Sequence, residues 1–316
     1  MTHHLVVGAG PIGCATARRL VSSGKRVVLV SRSGRGPEHP GIERRRLDAA
    51  DVTQLLEAAG DATALYNCAN PAYHRWPTDW PPIAEALLTA AERTGAVLAT
   101  VSNLYGYGPV DGPLTQNLPL VSTGRKGRVR ARMYAEALTA HQAGRVRMTE
   151  VRASDYVGPG AQSHLGDRVI PRLLAGRGVT VLGDPDQPHS WTYTEDVARM
   201  LVTAASDPRA WGRAWHVPSN PARTQREAIA DLARVAGTDM VSVRPLSRTL
   251  VRALGLVNPV MRELQETRYQ FERPFVMVSH EAEQEFGLQP TPWDEVLTAT
   301  LRSYGWATDA GRPVTA

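Results

Sequence analysis

Apolar and polar positions fall into short blocks along this chain. Residues 5–7 form an apolar run, Gly8-Ala9-Gly10-Pro11-Ile12-Gly13 follows, and small and apolar residues then recur at helical spacing over 14–23, ending at Gly24. Residues 27–30 are the next apolar run. The pattern predicts strand, glycine turn, helix and strand within about 30 residues. A second unit runs through a helix over 51–59 into the apolar run 64–68, and a third through a helix over 83–93 into 97–101. A helix from about 128 to 142 then precedes a strand near 148–152. This alternation predicts an α/β fold, a doubly wound parallel sheet with helices on both faces. After residue 160 the rhythm is irregular, with turn clusters at 183–186 and 218–221, which predicts a smaller C-terminal α/β lobe. No internal repeat, low-complexity tract or Gly/Ser linker separates the two parts.

Composition narrows the class. The chain has 316 residues, 42% hydrophobic and 21% charged, enough for one full α/β domain and a smaller lobe. It contains no run of 18 apolar residues and enters a strand at Leu5, so a cytoplasmic location without a membrane span is expected. Its two cysteines, Cys14 and Cys68, lie in apolar segments, which is neither a disulfide framework nor a zinc pattern, and no metal is expected. The net charge of +5 raises nucleic acid as a partner, but the arginines are spread out and often sit near Asp or Glu, which argues against it. Lys25 and Lys126 are the only lysines, which draws attention to the setting of Lys126.

The three glycines have separate tasks. Gly8 permits the tight turn, Gly10 lets the backbone approach a pyrophosphate, and Gly13 allows close helix–strand packing, with Pro11 and Ile12 opening the helix whose positive end faces the phosphates. The expected ligand is a nicotinamide dinucleotide. An acidic residue at the end of the second strand would mark NAD, but here the chain reads Ser31-Arg32-Ser33. Arg32 can pair with a 2′-phosphate, with Ser31 and Ser33 donating to it, so NADP is expected ahead of NAD.

These segments, with others downstream, resemble the short-chain dehydrogenase/reductase superfamily in its extended, NAD-dependent epimerase/dehydratase-like branch. Arg46-Leu47-Asp48 looks like the family's segment after the third strand, where the Asp meets the adenine amine. Asn67-Cys68-Ala69-Asn70 stands where the family has its strand end beside the cofactor, so Cys68, Ala69 and Asn70 are expected there. Residues 152–160, with Asp155 and Tyr156-Val157-Gly158-Pro159, are similar to the family's Arg-…-Tyr-Gly-Pro segment, and 189–198 to its Arg-Asp-Phe-…-Asp-Val-Ala segment. The resemblance implies an NAD(P)-binding Rossmann domain over 1–160 with a return segment near 188–218, and a substrate-binding lobe over 161–316.

The catalytic positions depart from that pattern. The family transfers hydride with a Tyr-x-x-x-Lys pair and an upstream Ser or Thr, and this chain has no Tyr-x-x-x-Lys. Matching the flanking segments places Lys126 at the tyrosine, Arg130 at the lysine and Asn103 near the serine. Three readings stand: Lys126 donates the proton with its pKa lowered by Arg130 and burial; Tyr105 or Tyr107 donates while Lys126 binds cofactor or substrate; or both cations are surface charges and the cofactor is not turned over.

In nucleotide-sugar enzymes of the family the Arg of the Arg-Asp-Phe segment commonly pairs with the substrate diphosphate. His189 takes that place, and neutral His is a poorer diphosphate ligand. Tyr73, Trp76 and Trp80 follow a strand end at the cofactor edge and can line an apolar pocket. Tyr73, Trp76, Tyr107, Asp155 and His189 are therefore the candidate substrate residues, for a small, partly apolar metabolite. An atypical NAD(P)-dependent oxidoreductase, epimerase or dehydratase is expected; the alternative is an NADP(H)-binding sensor or scaffold without turnover. A small molecule is the expected partner, and self-association as a homodimer is left open.

Overall fold

The structure, a computed structural model, describes residues 2–247 and 265–307 and the backbone of 312–313. Seven parallel strands form the central sheet: β1 (His4–Val7), β2 (Val27–Ser31), β3 (Ile42–Arg46), β4 (Ala64–Asn67), β5 (Val97–Asn103), β6 (Arg147–Ala153) and β10 (Ala214–His216). Their order is β10-β6-β5-β4-β1-β2-β3, so the chain reverses its winding between β1 and β4. The carboxyl ends of the strands at that switch point are where doubly wound sheets hold ligands.

Side-chain alternation builds a core on each face of the sheet. Val6, Val27 and Leu29 face α1 (Pro11–Ser22) and α6 (Thr194–Ser206), whereas Leu5, Val7, Val28 and Val30 face α2 (Val52–Ala59), α3 (Trp76–Thr94) and α4 (Arg125–Gln142). Asp51 caps α2 by accepting the backbone N–H groups of Thr53 and Gln54.

Two helices begin earlier than the sequence pattern suggests. α3 starts at Trp76 rather than near residue 83, so Trp76 and Trp80 are helical and not part of a loop. Three prolines hide this start: Pro77 fits the first turn, where N–H groups lack partners, whereas Pro81 and Pro82 lie inside the helix and mask its periodicity. Complete burial of Trp76 and Trp80 holds these turns. α4 starts at Arg125, which brings Lys126 and Arg130 onto one helix.

The C-terminal lobe has its own core, in which α5 (Ile170–Leu174), α7 (Gln225–Ala236) and α9 (Trp293–Arg302) pack around Ile170, Leu173, Ile229, Leu232, Val296 and Leu297. β7 (Asp155–Val157) pairs in parallel with β9 (Trp191–Tyr193), and β8 (Val179–Val181) with β11 (Val243–Pro245). Residues near Phe275 and Met277 return to the first domain, where Leu114 N–H donates to the Val276 carbonyl at 2.7 Å.

A buried polar chain ties this return to the sheet. Arg152 donates to Glu150 at 2.6 Å and to the Tyr107 hydroxyl at 2.8 Å, and Tyr107 lies 2.8 Å from His216 Nε2. His216 Nδ1 faces the Val278 carbonyl at 2.8 Å, so Nδ1 donates there and Nε2 accepts the Tyr107 proton. His216 is therefore buried neutral, and burial pushes its pKa down from 6.5 to about 3. The unfolded chain takes up a proton near pH 6.5 that the folded chain refuses, so stability falls as pH drops from about 6.5 towards 3. The loss from His216 amounts to about 1.4 kcal/mol per pH unit within that window. Burial of His4, lowered to about 4, acts in the same direction. Denaturant unfolding measured from pH 7 to pH 4 is expected to show this decline, with a slope shallower by about one proton in His216→Gln.

Candidate active site

A cleft of about 470 Å³ opens at the carboxyl ends of β1, β2, β3 and β4. Gly8, Gly10, Ser31, Arg32, Ser33, Asp48, Cys68, Ala69 and Asn70 all line it. The glycines divide the work as their positions require. Gly8 has φ +105, and a Cβ there would lie 2.5 Å from the Cys68 carbonyl oxygen. A Cβ on Gly13 would lie 1.8 Å from the Gly8 oxygen, whereas one on Gly10 would meet nothing within 4 Å. Gly10 is the N-cap of α1 and supplies no side-chain cap, so the helix presents its positive end to open space. Gly13 is walled off from the cleft, Pro11 packs beside Gly160, and Ile12 packs on the core.

The edge of the cleft near β2 is basic. Arg32 is exposed and makes no ion pair among the described residues. Ser31 Oγ accepts from Gly34 N–H at 3.1 Å and Ser33 Oγ from Arg35 N–H at 3.2 Å, which shapes the loop around Arg32. Asp48 Oδ1 accepts from Ala50 N–H at 3.1 Å and is the carboxylate at the β3 side of the cleft. These residues fit the adenosine diphosphate portion of a dinucleotide: an uncapped helix end behind a glycine without neighbours, beside a cation at the ribose side.

Beyond Pro71 the character changes. Asn103 ends β5 with its Oδ1 accepting Tyr105 N–H at 3.2 Å, so it fixes the turn that presents Tyr105. The Tyr105 hydroxyl lies 3.1 Å from that of Tyr73. Burial raises the Tyr105 pKa well above its ordinary value, and Tyr73 and Asp155 add to the rise, so the phenol is protonated. Gly127 allows this turn to lie on α4, since a Cβ there would be 2.4 Å from the Tyr105 carbonyl oxygen.

Neither Lys126 nor Arg130 is a surface charge. Lys126 is 1% exposed and its Nζ lies 3.2 Å from Glu266 Oε2 and 5.7 Å from the Tyr73 ring centre. Glu266 Oε1 also accepts the Lys126 backbone N–H at 2.7 Å, capping α4 from the C-terminal lobe. Arg130, 6% exposed, does not face Lys126: its guanidinium lies 4.6 Å from the Trp76 ring and 4.4 Å from the Trp80 ring, and Nη1 donates to the Val101 carbonyl at 3.4 Å.

Asp155 faces the two tyrosines from β7. Its Oδ2 lies 2.8 Å from His189 Nε2, and its Oδ1 is 3.9 Å from His164 Nε2. The other His189 nitrogen, Nδ1, lies 3.1 Å from the Gln270 carbonyl oxygen, so both ring nitrogens are engaged. Burial alone would raise the Asp155 pKa, but the His189 hydrogen bond and the two imidazoles bring it below the usual carboxylate value. Burial holds His164 below its ordinary value against the pull of Asp155.

Two expectations need correction. Tyr107 is not at the site: it is 0% exposed and bound to Arg152 and His216 beneath the sheet edge, because alternate residues of the turn point to opposite sides. His189 is 1% exposed, stacked on Phe271 at 4.5 Å, and sits behind Asp155 instead of lining an open substrate pocket. Glu266, in a helical stretch, and His164, in a turn segment, escape sequence reading, being lone residues outside any motif. Gly124 is the one signal for Glu266, since a Cβ there would lie 2.5 Å from Glu266 Oε1. Among the described residues, no group of three or more His, Cys, Asp or Glu can hold a metal, and no helix is long and apolar enough to cross a membrane.

A model of the NAD dependent epimerase/dehydratase family matches residues 4–217. Among solved structures, the chain is similar to the UDP-glucose 4-epimerase of Thermotoga maritima, with TM-score 0.79, 16% identity, and coverage of 96% of this chain and 98% of that one. It is also similar to the dTDP-glucose 4,6-dehydratase of Streptomyces venezuelae, solved with NAD, with TM-score 0.75, 21% identity, and 96% and 97% covered. The UDP-glucuronic acid 4-epimerase of Bacillus cereus, solved with UDP-glucuronic acid and NAD, gives TM-score 0.76, 18% identity, and 96% and 98% covered. A comparison with curated proteins finds no match.

The two glycines of the turn should separate in experiment. Gly13→Ala is expected to destabilise the ligand-free protein by about 3 kcal/mol, because backbone must move to admit the Cβ. Gly10→Ala should leave stability within about 1 kcal/mol and weaken dinucleotide binding at least about tenfold, as thermal melting and calorimetry would report.

Proposed function

We propose, from the premise that the chain belongs to the NAD-dependent epimerase/dehydratase family, that it is an NADP-using enzyme of this group acting on a small, partly apolar metabolite. The observation that carries this reading is the hydroxyl contact of Tyr105 with Tyr73 at the end of β5, with the Asp155 carboxylate close enough to raise the pKa of both phenols. The bound nicotinamide would supply hydride transfer at that end. Tyr105 is the proton donor: it is protonated, held at its base by Asn103 and hydrogen-bonded to Tyr73. Lys126, engaged by Glu266, serves as a fixed positive charge that orients substrate or cofactor rather than as the donor. Asp155, backed by His189, supplies the acceptor for a substrate hydroxyl or amine.

The NADP preference rests on the β2 end, where Arg32 lacks an acidic partner and the neighbouring side chains are serines. The Thermotoga maritima and Bacillus cereus epimerases are solved with UDP-glucose and UDP-glucuronic acid, but two features favour a smaller substrate here. His189 stands at the arginine position and is already engaged by Asp155 and Gln270, and aromatic rings crowd the approach to Tyr105. That crowding also favours the second reading, a dinucleotide sensor without turnover.

Calorimetry should show NADP binding about tenfold or more tightly than NAD, with the advantage lost in Arg32→Ala. Tighter NAD binding would sink the assignment. With NADPH and a panel of small carbonyl compounds, absorbance loss should fall about a hundredfold or more in Tyr105→Phe without loss of cofactor affinity. Binding without turnover across the panel would favour the sensor, and tight binding of UDP-glucose would overturn the small-substrate reading.

A further inference from the structure

The cleft is shorter than the ligand its topology serves. A dinucleotide crosses the carboxyl edge of a doubly wound sheet with one mononucleotide half on each side of the switch point. Here open space extends from Ser31 and Asp48, past Gly8 and Gly10, to Pro71 and along α3 as far as Ile83, but Tyr73, Trp76 and Tyr105 do not line it. The next positions along the edge, at the ends of β4 and β5, are filled by side chains. Trp76, 1% exposed, donates from Nε1 to the Pro71 carbonyl at 2.9 Å. Its ring meets Tyr73 edge-on at 5.1 Å, Tyr105 at 6.0 Å and Trp80 at 6.2 Å. The Tyr73–Tyr105 hydroxyl contact at 3.1 Å closes the wall.

Two further observations bear on this wall. Arg130, held against Trp76 and Trp80, has a buried Nε with no hydrogen-bond partner. An unmet buried donor is destabilising, the more so when charged, and a ligand hydroxyl arriving on that side would relieve it. The turn that carries Tyr73 is less tightly held than Trp76. Tyr73–Arg75 is a single 3-10 turn, and Tyr73 is 37% exposed. Pro81 and Pro82 cannot donate to the carbonyls four residues earlier, so the opening turns of α3 lack those backbone bonds.

We propose that residues 71–76 form a gate, and that Tyr73 and Trp76 determine whether the nicotinamide half of the dinucleotide enters. The closed form accepts the adenosine diphosphate portion alone. Admission of the whole dinucleotide requires the Tyr73–Tyr105 contact to break and the Trp76 ring to withdraw, which exposes Arg130 to the incoming ribose. This inference rests on the cleft being a dinucleotide site, as proposed above.

The test compares each dinucleotide with its nicotinamide-free fragment: NADP with 2′-phospho-ADP-ribose, and NAD with ADP-ribose. Calorimetry gives affinities and stopped-flow tryptophan fluorescence gives rates. For the pair the protein prefers, the fragment should bind at least as tightly as the dinucleotide and in one fast phase. The dinucleotide should add a slow phase whose rate saturates with concentration, because its apparent Kd is raised by the scarcity of the open form. Tyr73→Phe removes the hydroxyl contact without leaving a cavity, and should tighten the dinucleotide about threefold or more while moving the fragment less than about twofold. Trp76→Leu should do the same more strongly, and Tyr73→Phe stands alone if that variant does not fold. A dinucleotide that binds tenfold tighter than its fragment, in one fast phase unaltered by Tyr73→Phe, overturns the gate and leaves the cofactor reading intact. Failure of all four ligands to bind overturns the cofactor reading and the gate with it.

Discussion

The approach of α1 to β1 is the constraint on which the site depends. The Gly8 carbonyl and the Gly13 backbone lie so close that a single Cβ would sit 1.8 Å from the oxygen. This contact seats the start of α1 directly over the end of β1. The neighbouring turn of Gly8 is held in turn by the Cys68 and Ala69 backbone at the end of β4. Two strands adjacent across the switch point and one helix end are thereby locked in register. An anion-binding helix terminus therefore faces the ligand edge of the sheet without help from any charged side chain. The remaining parts of the cleft, Arg32 on the β2 side and Asp48 after β3, need only extend from strands already in place.

A second division follows from the turn after β5. Tyr105 and Tyr107 are two residues apart, and the turn sends the first towards Asp155 and the second beneath the sheet to Arg152 and His216. One phenol thus meets Tyr73 while the other holds the C-terminal return in place. The two polar networks pass within one short turn of each other yet share no hydrogen bond among those described. Asn103 and Gly127 make this arrangement possible, the first by fixing the turn and the second by letting it rest on α4.

Local pattern carried the parts of the fold that depend on local chemistry. The glycine turn, the strand–helix alternation and the β2-end residues are legible because each is decided by neighbours within a few positions. The start of α3 was not, since Pro77, Pro81 and Pro82 read as a loop while the energy that holds those turns comes from burying Trp76 and Trp80. The partners of Lys126 and Asp155 were not legible either. Glu266 is 140 residues from Lys126, and His164 comes from an irregular segment, so no periodicity marks them. The two tyrosines of the β5 turn carry equal sequence signals, and only their opposite directions in three dimensions separate them.

The altered α4 positions make physical sense as a set with their surroundings. A lysine at residue 130 would present a compact ammonium to two indole faces, whereas a planar guanidinium stacks on both and keeps its Nη1 bond to Val101. Trp76 and Trp80 therefore favour arginine there, and arginine in turn favours a helix that begins early enough to bring both rings alongside. At residue 126 a buried ammonium requires a carboxylate, which Glu266 supplies from the other lobe. The same carboxylate satisfies the backbone at the start of α4, so the ion pair also joins the lobes across the cleft. Replacing either cation alone would strand its partners. The absence of a Tyr-x-x-x-Lys pair is thus accompanied by specific contacts of Lys126 and Arg130 with α3, β5 and the C-terminal lobe.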